Sequence, residues 1–281
     1  MSDLLPNFLH IGPSKSGSTW LHEVLIGHPE VYLTQAKDLY FFNRYYDRGP
    51  GWYRSQFRGA QREHKIIGEV CPDYLSCVEA PERIHACLGE NVRLMVTLRE
   101  PISRALSGYL YLAKHGGAAA TFRDTTKTAP ELLEEGRYAT HLRSYLHYYG
   151  RESLYIGLFD DLQADPQAFL DGVTDWLGIV RLPLSPEQLE AQLPASKARW
   201  LPLAMAAKYG ANWARRHDGA ALVGSLKRSA LMQRMLYRPL GADKPEMAPE
   251  DVAFIHEQLD PEIAVLDREF GLDLQRRWGW H

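Results

Sequence analysis

Three short stretches hold residues whose types and spacing could do chemistry on a phosphate ester. The first, FLHIGPSKSGSTWL from Phe8 to Leu21, is an apolar run leading into a turn of glycine and hydroxyl residues and then a helix. In such a unit the N–H groups of the turn and of the first helical residues converge on one spot, where the helix N-terminus adds partial positive charge. Gly12, Gly17 and Thr19 fit the ATP-binding spacing GxxxxGK[ST], but Ser18 stands where that motif carries lysine, and Lys15 lies inside the turn instead. The displacement predicts a ligand other than a magnesium-bound triphosphate. The second stretch, GEVCPDY from Gly68 to Tyr74, sets Glu69 at the end of an apolar strand that Pro72 stops. A carboxylate there is either paired structurally or a proton acceptor. The third, REPISRALSGY from Arg99 to Tyr109, puts Pro101 at a first helical position, with Arg104, Ser107 and Tyr111 on one face and Arg99 at a strand exit. An arginine fork beside a serine hydroxyl suits a terminal phosphate.

These stretches must be held by a common frame. Apolar runs of strand length recur at Phe8–Ile11, Lys65–Val70, Val92–Leu98 and Leu154–Phe159, each followed by a stretch that reads as turn and helix. Helices are predicted at Thr19–Gly27, Pro81–Leu88, Pro101–His115, Ala129–Gly136, Tyr138–Tyr149, Pro166–Leu177 and Pro249–Phe270. The alternation implies an α/β fold with a parallel central sheet flanked by helices on both faces. Ligands bind such sheets outside the carboxyl ends of the strands, where all three stretches fall. Leu33–Arg58 is crowded with aromatic and basic residues and reads either as a substrate wall or as core cover. His115–Lys127, rich in Gly, Ala and polar residues without periodicity, reads as mobile, and a lid is conceivable there. The sequence offers no linker, so one domain over 1–281 is expected, with a helical C-terminal part from about 182.

Composition bounds the partners. Lys plus Arg number 32 against 35 Asp plus Glu, a net charge of −3, which gives no support to nucleic-acid or membrane-surface binding, so any anion attraction must be local. No segment approaches a membrane span and the N-terminus lacks a leader pattern, so a cytoplasmic location is expected. Cys71, Cys77 and Cys87 are odd in number and lack metal-ligand spacing, which fits reduced thiols. The 11 histidines show no HxxxH or HExxH arrangement, and no metal site is expected.

Taken together, the motifs are similar to those of sulfotransferases that use 3′-phosphoadenosine 5′-phosphosulfate (PAPS), and most closely resemble the heparan sulfate sulfotransferase branch with its bacterial relatives. PSKSGSTWL at Pro13–Leu21 resembles the family's PKxGTTxL loop; Arg99, Pro101, Arg104, Ser107 and Tyr109 match RxPxxRxxSxY; GEVCPDYL resembles GEKTPxYL; and AKDLYFF resembles KExHFF. The chain departs from the pattern at Val70 and Cys71, where Lys-Thr is usual, and at Tyr40, where His is usual. The resemblance implies a P-loop-like sulfotransferase architecture. It implies that Lys15, Ser16, Gly17, Ser18, Thr19 and Trp20 surround the 5′-phosphosulfate, and that Arg99 and Ser107 hold the 3′-phosphate. Lys15 and Glu69 would be catalytic, Glu69 as base, while Lys37, Tyr40, Asp73 and Tyr74 would face the acceptor. Lys197, Arg199 and Lys244 are candidates for the late basic contact that relatives make to the nucleotide. The implied reaction is in-line transfer of a sulfuryl group to a hydroxyl or amine, most plausibly on a saccharide or glycolipid. Adenosine 3′,5′-bisphosphate is the other product, and no metal takes part. Two alternatives stay open: a P-loop nucleotide kinase or NTPase, and a sulfotransferase acting on a small phenol or alcohol.

Overall fold

Val, Ile, Leu and Phe dominate the strands at the centre of the computed structural model, which describes residues 5–190, 196–198, 210, 237–239 and 246–280. Strands β1 (Phe8–Gly12), β2 (Val31–Leu33), β3 (Ile66–Val70), β4 (Arg93–Leu98) and β5 (Leu154–Leu158) form one sheet in the order β2-β3-β1-β4-β5. Every pairing is parallel, with Leu9 opposite both Glu69 and Leu94. An all-parallel sheet must be covered on both faces, and β1 and β3 are buried along their whole length.

The covering helices are α1 (Ser18–Leu25), α2 (Gly49–Ser55), α3 (Ala80–Leu88), α4 (Pro101–Lys114), α5 (Phe122–Thr128), α6 (Glu131–Glu134), α7 (Tyr138–Leu146), α8 (Phe159–Ala164), α9 (Pro166–Leu177), α10 (Pro186–Glu190), α11 (Pro249–Phe270) and α12 (Leu274–Trp278). Side-chain alternation along the strands splits the interior into two cores. On one face Leu9, Ile11, Ile67, Leu94 and Val96 pack with α3, α4, α7 and α11 and with the aromatic segment. On the other, Phe8, Val70 and Met95 meet α1, α8 and α9. Ser196–Ala198 and Tyr237–Pro239 pair as a separate antiparallel ladder.

The four predicted strands and the helix at Pro249–Phe270 are present, with ends shifted by a residue or so. Two departures matter. β2 is a three-residue edge strand at the start of the aromatic stretch, too short to give a periodic signal. The predicted mobile segment His115–Lys127 is largely structured: Thr121 caps α5 by accepting from the Asp124 N–H at 3.1 Å, and Phe122 is buried, edge-on to Tyr109. Of the aromatics between Leu33 and Arg58, Phe41, Phe42, Tyr53 and Phe57 are core, while Tyr40, Tyr45, Tyr46 and Trp52 are only partly covered.

Candidate active site

The turn after β1 reverses the chain through left-handed backbone at Lys15 (φ 68) and Gly17 (φ 86). Glycine suits the second position because that backbone strains any L side chain, and a Cβ there would also press on Leu162 Cδ2 at 2.6 Å. Gly17 is also the N-cap of α1 and brings no side-chain cap, so the first-turn N–H groups remain available to an anion. Ser16 Oγ lies beside them, fully buried and without a hydrogen-bond partner. An orphaned hydroxyl in a converging set of donors is what a phosphate oxygen would satisfy. Lys15 Nζ sits 4.6 Å from the centroid of Tyr111. Burial, reinforced by Lys37, Lys114 and Arg99, lowers its pKa to about 8. Ser18 is buried, Thr19 partly so. Trp20 is buried: its indole N–H donates to the Gln188 carbonyl at 2.9 Å and its ring packs edge-on to Phe169.

A buried carboxylate anchors the entry to this turn. Glu135 Oε2 accepts from the Ser14 N–H at 3.2 Å, from the Ser14 hydroxyl, and from Arg104 Nη1 at 3.1 Å. Arg104, 1 % exposed, also donates to the Leu132 carbonyl. The motif arginine is therefore consumed in holding the loop against α6 and does not share a ligand-facing surface with Tyr111. Arg99 is the arginine left for a ligand. Its guanidinium stacks 4.6 Å over the Phe159 ring, and its Nη1 donates to the Lys15 carbonyl at 2.8 Å. Burial lowers its pKa from the usual value, against the opposing pull of Glu100 and Asp160. Glu100, the nearest acid in sequence, makes no ion pair with it and instead caps α4, accepting from the Ile102 and Ser103 N–H groups. Ser107 is half-buried in the same helix.

The third wall carries two carboxylates in different settings. Glu69 is fully buried in β3, where Tyr53 and Tyr74 donate to its Oε1 at 2.9 and 3.0 Å, while Oε2 has no partner. Burial pushes its pKa up to about 7, against the two phenol hydrogen bonds. Asp38 pairs with Lys37 Nζ at 2.8 Å on left-handed backbone (φ 65), with 14 % of its side chain exposed. Tyr40, also left-handed (φ 57), lies under the Arg44 guanidinium, and Arg44 in turn bonds Asp73 at 2.7 Å. Tyr53 and Glu135 fall outside the motifs described above, and Asp38 lies within AKDLYFF without being singled out. Asp38 alone carried a signal, as an acid beside Lys37 where the family segment has Lys-Glu. Arg199 and Lys244 lie outside the described residues, and Lys197 is placed only as part of a short strand. Among the described residues no cluster of His, Cys, Asp and Glu could hold a metal ion, and no helix is long and apolar enough to cross a membrane.

A parallel sheet whose carboxyl edge carries a donor-rich turn hydrogen-bonded to a buried arginine defines an α/β protein with room for an anion at that edge. Comparison narrows the class: the family model described as the sulfotransferase domain matches residues 5–199, so the chain belongs to that family. Human heparan sulfate glucosamine 3-O-sulfotransferase 3B1 is 33 % identical over 191 residues, covering 64 % of this chain and 48 % of the relative. The human bifunctional heparan sulfate N-deacetylase/N-sulfotransferase 3 is 30 % identical over 199 residues, 63 % of this chain and 23 % of the relative. The chain spans about half the length of the curated 3-O-sulfotransferases it matches. A sulfotransferase from Alicyclobacillus acidocaldarius shares the fold, with a TM-score of 0.58 at 21 % identity over 82 % of this chain and 99 % of that one.

Proposed function

We propose that the protein moves a sulfuryl group from PAPS to an acceptor hydroxyl or amine on a saccharide. The observation that carries this is the hydrogen bond from Arg99 to the Lys15 carbonyl, which fastens two anion-gripping segments at one point. A nucleotide with two separated anionic groups fits such a pair better than a linear triphosphate does, and on this reading the lysine inside the turn attends the transferred group. The orphaned Ser16 hydroxyl supports an anion in the turn. The donor, when bound, supplies an activated sulfuryl group and a phosphate leaving group.

The protein's share is positioning and charge. First-turn N–H groups and Ser16 hold the 5′-phosphate, Lys15 offsets the charge growing on the oxygen that leaves the sulfur, and Arg99 with Ser107 holds the 3′-phosphate. The proton released by the acceptor passes to a carboxylate of the facing wall. Glu69 has the raised pKa of a base but is sealed behind Tyr53 and Tyr74. The partial exposure of Asp38 favours a second reading, in which Asp38 takes the proton and Glu69 holds the tyrosines behind it. The saccharide acceptor rests on the names of the relatives together with the partly exposed aromatics and arginines of the 40–54 segment.

The deciding experiment is ³⁵S transfer from labelled PAPS to a panel of saccharides, lipids and phenols, run on wild type, Asp38→Asn and Glu69→Gln. The variant lacking the base should lose roughly 10²- to 10⁴-fold in kcat while keeping its affinity for adenosine 3′,5′-bisphosphate. Magnesium-dependent ATP turnover without sulfate transfer would overturn the proposal in favour of a kinase or NTPase.

A further inference from the structure

Three residues near the end of the described chain, Arg277, Trp278 and Trp280, reach back to the acids that follow β4 and β5. Three carboxylates follow the ends of β4 and β5 closely: Glu100 at the N-cap of α4, and Asp160 and Asp161 in the first turn of α8. Acids at these positions favour their own helices, but they also place negative charge around the site proposed for a phosphate. Each is claimed by one stretch, Arg277–Trp280. The Trp280 indole N–H donates to Glu100 Oε1 at 3.1 Å, the Trp278 indole N–H donates to Asp160 Oδ2 at 2.9 Å, and Arg277 pairs with Asp161. Trp280 is itself 2 % exposed and packs against the His256 ring at 4.3 Å between centroids, so the stretch is anchored in the core. Its reach extends into the site through α8, whose Phe159 carries the Arg99 guanidinium and whose Leu162 abuts Gly17 in the phosphate turn.

We infer that Arg277–Trp280 is a clasp that positions the second phosphate site, engaging the carboxylates of Glu100, Asp160 and Asp161 so that they do not pair with Arg99, while fixing α8 beside Arg99 and Gly17. This rests on Arg99 reading a 3′-phosphate. Indole N–H groups suit the task because they bind a carboxylate without adding a charge that would compete for the nucleotide. Loosening the clasp lets the acids turn toward Arg99 and weakens the grip on the 3′-phosphate, leaving contacts to the 5′-phosphate in place.

The test is calorimetric titration of adenosine 3′,5′-bisphosphate and of AMP into wild type, Trp280→Phe, Trp278→Phe and Arg277→Gln. Each variant has its melting temperature recorded, and Ile263→Val in α11 serves as a control for general core loosening. Phenylalanine keeps an aromatic ring and removes the donor with part of the indole, so the variants should fold and the Ile263→Val control accounts for lost core volume. The clasp predicts that the two tryptophan variants lose about three- to tenfold in bisphosphate affinity, that Arg277→Gln loses somewhat less, and that AMP changes by less than about twofold. Equal losses for both nucleotides, a matching shift in the Ile263→Val control, or a preference untouched by all three substitutions would overturn the clasp alone. A wild-type protein with no preference for the bisphosphate would instead remove the 3′-phosphate reading, and the clasp with it.

Discussion

At the scale of single residues, the site is defined as much by unmet hydrogen bonds as by charges. Ser16 Oγ is buried with no partner, an arrangement that costs about 1–3 kcal/mol unless a ligand relieves it. Ser16→Ala should therefore raise the melting temperature of the ligand-free protein while lowering its affinity for adenosine 3′,5′-bisphosphate. Paired melting and titration curves check this, and a fall in both would place Ser16 in the scaffold instead. Glycine spacing and a strand end mark the positions of Lys15 and Glu69 in the sequence. The partner of Arg104 is not legible there. Its motif spacing equals that of a ligand arginine, and only the fold brings Glu135, 31 positions away, to consume its charge. Glu69 shows the same limit, since nothing local announces the Tyr53 hydroxyl that closes over it.

Among the elements, α8 has the widest reach for its length. Six residues support Arg99 through Phe159, back the phosphate turn through Leu162 and receive Trp278 and Arg277 through two aspartates. Gly17→Ala would press a methyl against Leu162 on left-handed backbone, and should cost about 1–2 kcal/mol of stability while displacing the turn. Denaturant unfolding measures the first effect and nucleotide titration the second; unchanged stability would show that α8 yields freely. The elements the sequence announced are those with a strong period, such as β1, β4 and α11. Those it concealed are short or held from a distance in sequence: β2 has three residues, and α5 is fixed by its cap, by the burial of Phe122 and Thr125, and by Arg123 reaching Glu250, Asp251 and Phe254. Local composition there resembles a loop, and tertiary packing decides otherwise.

For the whole molecule, two fully buried groups on adjacent strands oppose one another in their response to pH. Glu69, raised from 4.5 to about 7, binds its proton more tightly when folded, so its contribution to stability is present at acid pH and is lost as pH rises through about 7. His10, lowered from 6.5 to about 3 chiefly by burial, behaves in reverse: its contribution is present above 6.5 and is lost as pH falls toward 3. Between about 4.5 and 6.5 the two slopes cancel. Glu69→Gln should thus make stability fall with acidification across that window, and His10→Asn should make it rise; melting temperatures from pH 4.5 to 7.5 test both. A wild-type slope retained in both variants would show that neither group governs it. The bond between Arg99 and the Lys15 carbonyl reaches furthest. On the proposed reading the spent nucleotide carries the same two phosphates as the donor, so the double grip that secures binding also delays departure. Turnover would then be paced by the loss of the product, and crowding by that product would be the natural brake on the enzyme.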